Sequence, residues 1–119
     1  MITKLQSGHD GILAYRISGK VTVDEYVACE EEWLGAIDEH GSVKMLIELT
    51  DLKFPELGVF FEDFKQGMKH CKDFSAFCVI GDHTWEKVWT SVFSTILHIN
   101  VKYFDKSRAE QAWEWIVNA

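Results

Sequence analysis

The sequence is short of several things, and each shortage removes a class of protein. Pro55 is its one proline, so no Pro-rich linker divides the 119 residues. A chain of this length fits one domain, 1–119, and buries roughly two thirds of its unfolded surface in its own core. Cys29, Cys71 and Cys78 are an odd number without a C-x-x-C pair, which argues against a disulfide framework and a zinc knuckle. No apolar run reaches the ~20 residues that cross a bilayer. The opening MITKLQSGHD has no apolar signal core, so a reducing cytoplasm is the expected location.

Positive charge is also scarce. Twelve Lys and Arg stand against 19 Asp and Glu, for a net charge of −7. Neutralising phosphates needs the opposite balance, so nucleic acid is not an expected partner. An anionic membrane is disfavoured on the same ground, and Lys65, Lys69 and Lys72 read as a solvated helix face. A hydrophobic fraction of 47% excludes a disordered chain.

Catalytic signatures are missing too. The sequence has no G-x-S-x-G elbow, Walker loop, G-x-G-x-x-G or H-E-x-x-H. His9, His40, His70, His83 and His98 are scattered, and none stands four residues from another His or a Cys, so no metal site is expected. His70 and Cys71 are neighbours, but adjacent helical side chains point about 100° apart and do not form a nucleophile–base pair. Cys78 lies in an apolar strand, where a thiol acts as a small hydrophobe. Glu48 sits near a strand's C-terminal end, where α/β folds place ligands, yet a charge satisfied at the rim is the simpler reading. In Gly81-Asp82-His83-Thr84, Asp82 or Thr84 would cap the amides that an anion would need. The chain is therefore expected to be no enzyme, with no catalytic residue, metal or cofactor.

What is present reads as alternating strands and helices. Residues 2–6 form a strand, closed by the turn Ser7-Gly8-His9-Asp10-Gly11. Residues 12–18 alternate, with Leu13, Tyr15 and Ile17 opposite Arg16 and Ser18, which predicts a strand with one less buried face. The short turn favours an antiparallel hairpin. Thr22 and Glu25 form a capping box, opening a helix that ends at His40-Gly41. Val23, Tyr26, Val27, Trp33, Leu34 and Ile37 mark its buried side, and Glu30-Glu31-Glu32 fall mostly on the outer side. Residues 43–50 and 74–80 are nearly continuous apolar strands, while 99–104 alternates and should lie nearer an edge.

Further helices are expected at 56–72, at 84–97 and after Ser107, whose partner Glu110 suggests a second capping box. Ala109, Ala112, Trp113, Ile116 and Val117 would be the last helix's buried stripe. Trp115, about 200° from Trp113, would be exposed. The fold class is α/β: a single-domain, mixed, mostly parallel five-stranded sheet with about four helices.

Aromatic density is the informative feature. Phe54, Phe60, Phe61 and Phe64 lie along helix 56–72 and its lead-in, and Trp85, Trp89 and Phe93 along helix 84–97. Such stripes are ordinarily core. However, Phe60 and Phe61 are adjacent, and the far side of helix 84–97 carries Thr90, Ser91, Ser94, Thr95 and His98 in place of charge. That helix could pack on a partner, lie on a bilayer or lid an apolar cleft.

The strings IELTDLKF, ELGVFFEDFKQGMKH, KDFSAFCVIGDHTWEKVW, VKYFD and AEQAWEWI, in this order of elements, resemble the STAS superfamily, in its SpoIIAA-like branch of small bacterial proteins. The likeness covers nearly the whole chain and consists of aromatics and glycines, so it speaks for fold more than for activity. STAS anti-sigma-factor antagonists carry a phosphorylatable serine at the start of the helix after the central strand. Here that segment reads Phe54-Pro55-Glu56-Leu57-Gly58, without a hydroxyl, and Thr50 is nearest. The SpoIIAA-like resemblance implies apolar ligands or membrane association. The leading expectation is a non-enzymatic binding domain for an apolar small molecule or lipid, with peripheral membrane contact. Phe54, Phe60, Phe61, Phe64, Trp85, Trp89 and Phe93 would line its cleft. The alternative is a STAS-type protein-interaction module without the phosphoserine. Homodimerisation through an aromatic helix face is a further expectation.

Overall fold

The computed structural model describes residues 1–9, 11–19, 22–50, 74–82 and 100–119. The helices predicted at 56–72 and 84–97 lie outside them. Strands β1 (Ile2–Leu5), β2 (Ile12–Ser18), β3 (Val43–Thr50), β4 (Phe74–Gly81) and β5 (Val101–Asp105) form one sheet in sequential order. β1 pairs antiparallel with β2, and every later pairing is parallel, so the sheet is mixed and mostly parallel as expected. Two α-helices lie among the described residues, rather than the about four expected of the whole chain: α1 (Val23–His40) and α2 (Ala109–Asn118).

The hairpin follows from turn chemistry. Ser7 Oγ accepts the His9 N–H at 3.1 Å and lies 2.8 Å from the Ile12 carbonyl, while Gly8 takes φ 74°, a left-handed conformation that glycine adopts without steric cost. The capping box of α1 forms as read. Thr22 Oγ1 accepts the Glu25 N–H, and the Glu25 carboxylate accepts the Thr22 N–H. Glu25 also reaches β1, taking the Ile2 N–H at 2.6 Å, so one carboxylate caps the helix and pins the edge strand. Gly41 ends the helix at φ 81°, donating its N–H to the Ile37 carbonyl.

The two faces of the sheet carry separate apolar clusters. Leu13, Tyr15, Ile17, Met45, Ile47 and Leu49 pack under Cys29 and Trp33 of α1. On the opposite face, Ile12, Ala14, Leu46, Ala76, Cys78 and Ile80 pack under Ala112 and Ile116 of α2. β3 and β4 are thus covered on both sides, which is why their sequences run apolar without alternation. β5 lies at the sheet edge, in keeping with its alternating sequence.

Five sequence expectations change. β2 buries Ile12 and Ala14 as well as its odd-numbered residues, because they join the apolar cluster on the face of the sheet that carries α2. The buried stripe of α1 is borne out at Trp33, Tyr26 and Ile37, which pack on the core with Cys29, whereas Val23, Val27 and Leu34 are 77%, 46% and 45% exposed. Glu32, from the acidic run, is drawn inward to pair with Lys4 of β1. The Ser107–Glu110 capping box does not form. Asp105 Oδ1 accepts both the N–H and the hydroxyl of Ser107, so residues Lys106–Arg108 wind as a 3-10 turn and α2 starts only at Ala109. Finally, Trp115 is half-buried against Phe104, and it is Val117, placed in the buried stripe, that is exposed.

Candidate functional site

The seven aromatic residues nominated for the cleft, Phe54, Phe60, Phe61, Phe64, Trp85, Trp89 and Phe93, lie outside the described residues. The same holds for Lys65, Lys69, Lys72, the His70–Cys71 pair and His83–Thr84. What the described residues contain is a different recess, at the seam between the edge strand and the last helix.

Lys102 and Phe104, two apart on β5, share the face that α2 covers. Gln111, Glu114, Trp115 and Asn118, spaced by three and four, share one side of α2. Between the two rows lies a shallow, open groove of about 350 Å³, lined also by Ala119. Its apolar wall is the Phe104–Trp115 pair, with ring centroids 6.2 Å apart and planes tilted by 53°. Lys102 Nζ stands 5.1 Å from the Phe104 centroid, a cation over the ring's negative face. The rim is polar and held in place. Arg108 Nε donates to Gln111 Oε1 at 2.8 Å, and Asn118 Nδ2 donates to the Glu114 carbonyl at 2.8 Å.

The sequence contained one signal for this groove and it was misread. Trp113 and Trp115 stand two apart on a helix, so burying one seems to expose the other. Both are half-buried because α2 lies across β3, β4 and β5, and the border strand reaches up to the helix's outer side.

The remaining candidates are structural. Burial pushes the Cys78 thiol up to about 12 and that of Cys29 to about 11, so neither supplies a thiolate near neutrality. Burial likewise drives the Tyr15 phenol far above its ordinary range. Glu48 is held by Arg16 across β2 and β3, with Nε to Oε1 at 3.4 Å, so it is a satisfied rim charge. The Thr50 hydroxyl is buried at the end of β3 and has no hydrogen-bond partner among the described residues. Among the described residues no three His, Cys, Asp or Glu stand close enough to hold a metal ion. No helix among them is long and apolar enough to cross a membrane.

Five strands in sequential order, one antiparallel edge and a helix on each face define an α/β domain of STAS type. The chain belongs to the SpoIIAA-like family, whose model matches residues 12–117. It is similar to a solved structure, an uncharacterized protein of the DUF3478 family with a SpoIIAA-like fold from Shewanella loihica PV-4. The two share 25% sequence identity and a TM-score of 0.70, over 98% of this chain and 92% of that one. No curated protein matches this chain significantly.

Proposed function

We propose that this chain is a non-enzymatic SpoIIAA-like binding domain for an apolar small molecule or lipid. The observation that carries the reading is the Phe104–Trp115 groove, an aromatic wall with a polar rim and one cation at its mouth. Such a recess suits an amphipathic ligand: its apolar body lies on the rings, and an anionic head meets Lys102. The aromatic residues Phe54, Phe60, Phe61, Phe64, Trp85, Trp89 and Phe93 favour the same ligand class on composition alone. Peripheral contact with a neutral lipid surface belongs to this reading, and co-flotation with neutral vesicles tests it.

The main experiment is titration with a fluorescent long-chain fatty acid. Saturable binding is expected, weakened at least about tenfold by Trp115→Ala, as for truncation of a central aromatic anchor. Lys102→Gln should weaken a fatty acid more than the corresponding alcohol. No saturable signal up to the solubility limit of the probe refutes a lipid-binding role. Binding untouched by Trp115→Ala removes the groove from it.

A second reading, a STAS-type protein-interaction module, draws on family membership. The segment Phe54–Gly58 offers no hydroxyl, and the nearest one, Thr50, is buried. Such a module would work without a phosphate switch. A partner bound stoichiometrically and indifferent to Trp115→Ala supports it.

A further inference from the structure

The groove between β5 and α2 carries charge of both signs, held apart. On the strand side Lys102 Nζ lies over the Phe104 ring, and on the helix side Glu114 lines the same groove. Successive helical residues turn by about 100°, so Glu114 stands outward of Trp115 on α2. The cation is thus at the strand, the anion at the outer lip, and the indole between them. Lys102 and Glu114 do not pair with each other. Among the described residues neither the Lys102 ammonium nor the Glu114 carboxylate has a hydrogen bond or an ion pair elsewhere. The rim amides add one group of each kind. Arg108 Nε engages Gln111 Oε1, which leaves Gln111 Nε2 as a donor, and Asn118 Nδ2 engages the Glu114 carbonyl, which leaves Asn118 Oδ1 as an acceptor.

We propose that the groove takes a single-chain amphipath with a zwitterionic head of phosphocholine type, an assignment that rests on the lipid-binding reading above. The phosphate meets Lys102, and the quaternary ammonium lies between Glu114 and the Trp115 indole. The chain runs along the Phe104–Trp115 wall, a single pair of rings with apolar surface for one chain.

Charge complementarity selects this head over the alternatives. A purely anionic head on Lys102 is repelled by Glu114 and by a chain of net charge −7. A purely cationic head at Glu114 is repelled by Lys102. A neutral head strips water from both charges and pairs neither. A head of both signs satisfies both. Its ammonium also gains the attraction of an aromatic ring, the contact that Lys102 already makes with Phe104.

Decylphosphocholine and decyl phosphate, titrated into the full chain as monomers and followed by tryptophan fluorescence, separate the head-group assignment from lipid binding itself. Decylphosphocholine should bind at least about tenfold more tightly than decyl phosphate. Glu114→Gln should bring the two within about threefold, by weakening the phosphocholine and not the phosphate. Lys102→Gln should weaken both. Phosphocholine without a chain should bind at least about a hundredfold more weakly than decylphosphocholine. Saturable binding of both amphipaths without that preference, or with a preference that survives Glu114→Gln, overturns the head-group assignment and leaves the lipid-binding reading standing. Chainless phosphocholine that binds as tightly as decylphosphocholine overturns the assignment as well. Saturable binding of neither amphipath overturns both.

Discussion

Truncating Trp33 to alanine separates the packing seen in the structure from the helix face suggested by periodicity. Trp33 is 3% exposed, wedged between Tyr26 and Phe74 with ring centroids 5.9 and 6.3 Å away, both near perpendicular. A buried indole removes roughly 150–250 Å² from water, worth about 4–6 kcal/mol at 25 cal/mol/Å² as an upper bound. Measured Trp→Ala changes in cores fall at about 3–5 kcal/mol, so about 4 is expected here. Domains of this length hold roughly 6–18 kcal/mol in total, and the variant should still fold. With a urea dependence of about 1.5–2.5 kcal/mol/M, the midpoint should fall by roughly 1.5–3 M. The control is its neighbour Leu34, assigned by periodicity to the same stripe but 45% exposed in the structure. Leu34→Ala should change stability by no more than about 0.5 kcal/mol. Equal losses for the two variants, or less than about 1 kcal/mol for Trp33→Ala, would refute the placement of α1.

Three further outcomes follow from local geometry. Thr22→Ala removes one half of the capping box and should cost about 1 kcal/mol in urea unfolding, while Thr22→Ser should cost far less. Cys29 and Cys78 should react with a thiol reagent at pH 8 only at the rate of unfolding, because burial holds both thiols protonated; prompt labelling of either in native protein contradicts its position. The Glu25 carboxyl is lowered, chiefly by the Ile2 N–H, and that of Asp105 chiefly by the Ser107 N–H. Their stabilisation is complete above the ordinary values of 4.5 and 3.8 and is lost as pH falls through the lower folded values. The melting temperature should therefore decline below about pH 4.5, less steeply in Glu25→Gln.

Much of the frame was legible because the deciding interactions are local. A threonine three residues before a glutamate, a glycine after the last helical turn, and an alternating or unbroken apolar strand carry their meaning within a few residues. The misreadings have two causes, one local and one tertiary. Ser107 has the spacing of a cap, yet the competing acceptor at Asp105 takes both its hydroxyl and its N–H, and the helix begins later. Val23, Val27 and Leu34 are apolar at helical spacing, but the packing of Trp33 on Phe74 of β4 and of Cys29 in the same cluster sets the rotation of α1 and turns them outward.

By itself the sequence determined the order of the described elements, the antiparallel first hairpin, the caps of α1, the absence of recognisable catalytic motifs and the kinship with SpoIIAA-like domains. Tertiary structure alone decided the sequential strand order, the rotation of α1, the second buried face of β2 and the groove between Phe104 and Trp115. The division has a physical origin. Hydrogen bonds that close within one turn are written in neighbouring residues, whereas the burial of a side chain depends on distant parts of the chain that come to lie beside it.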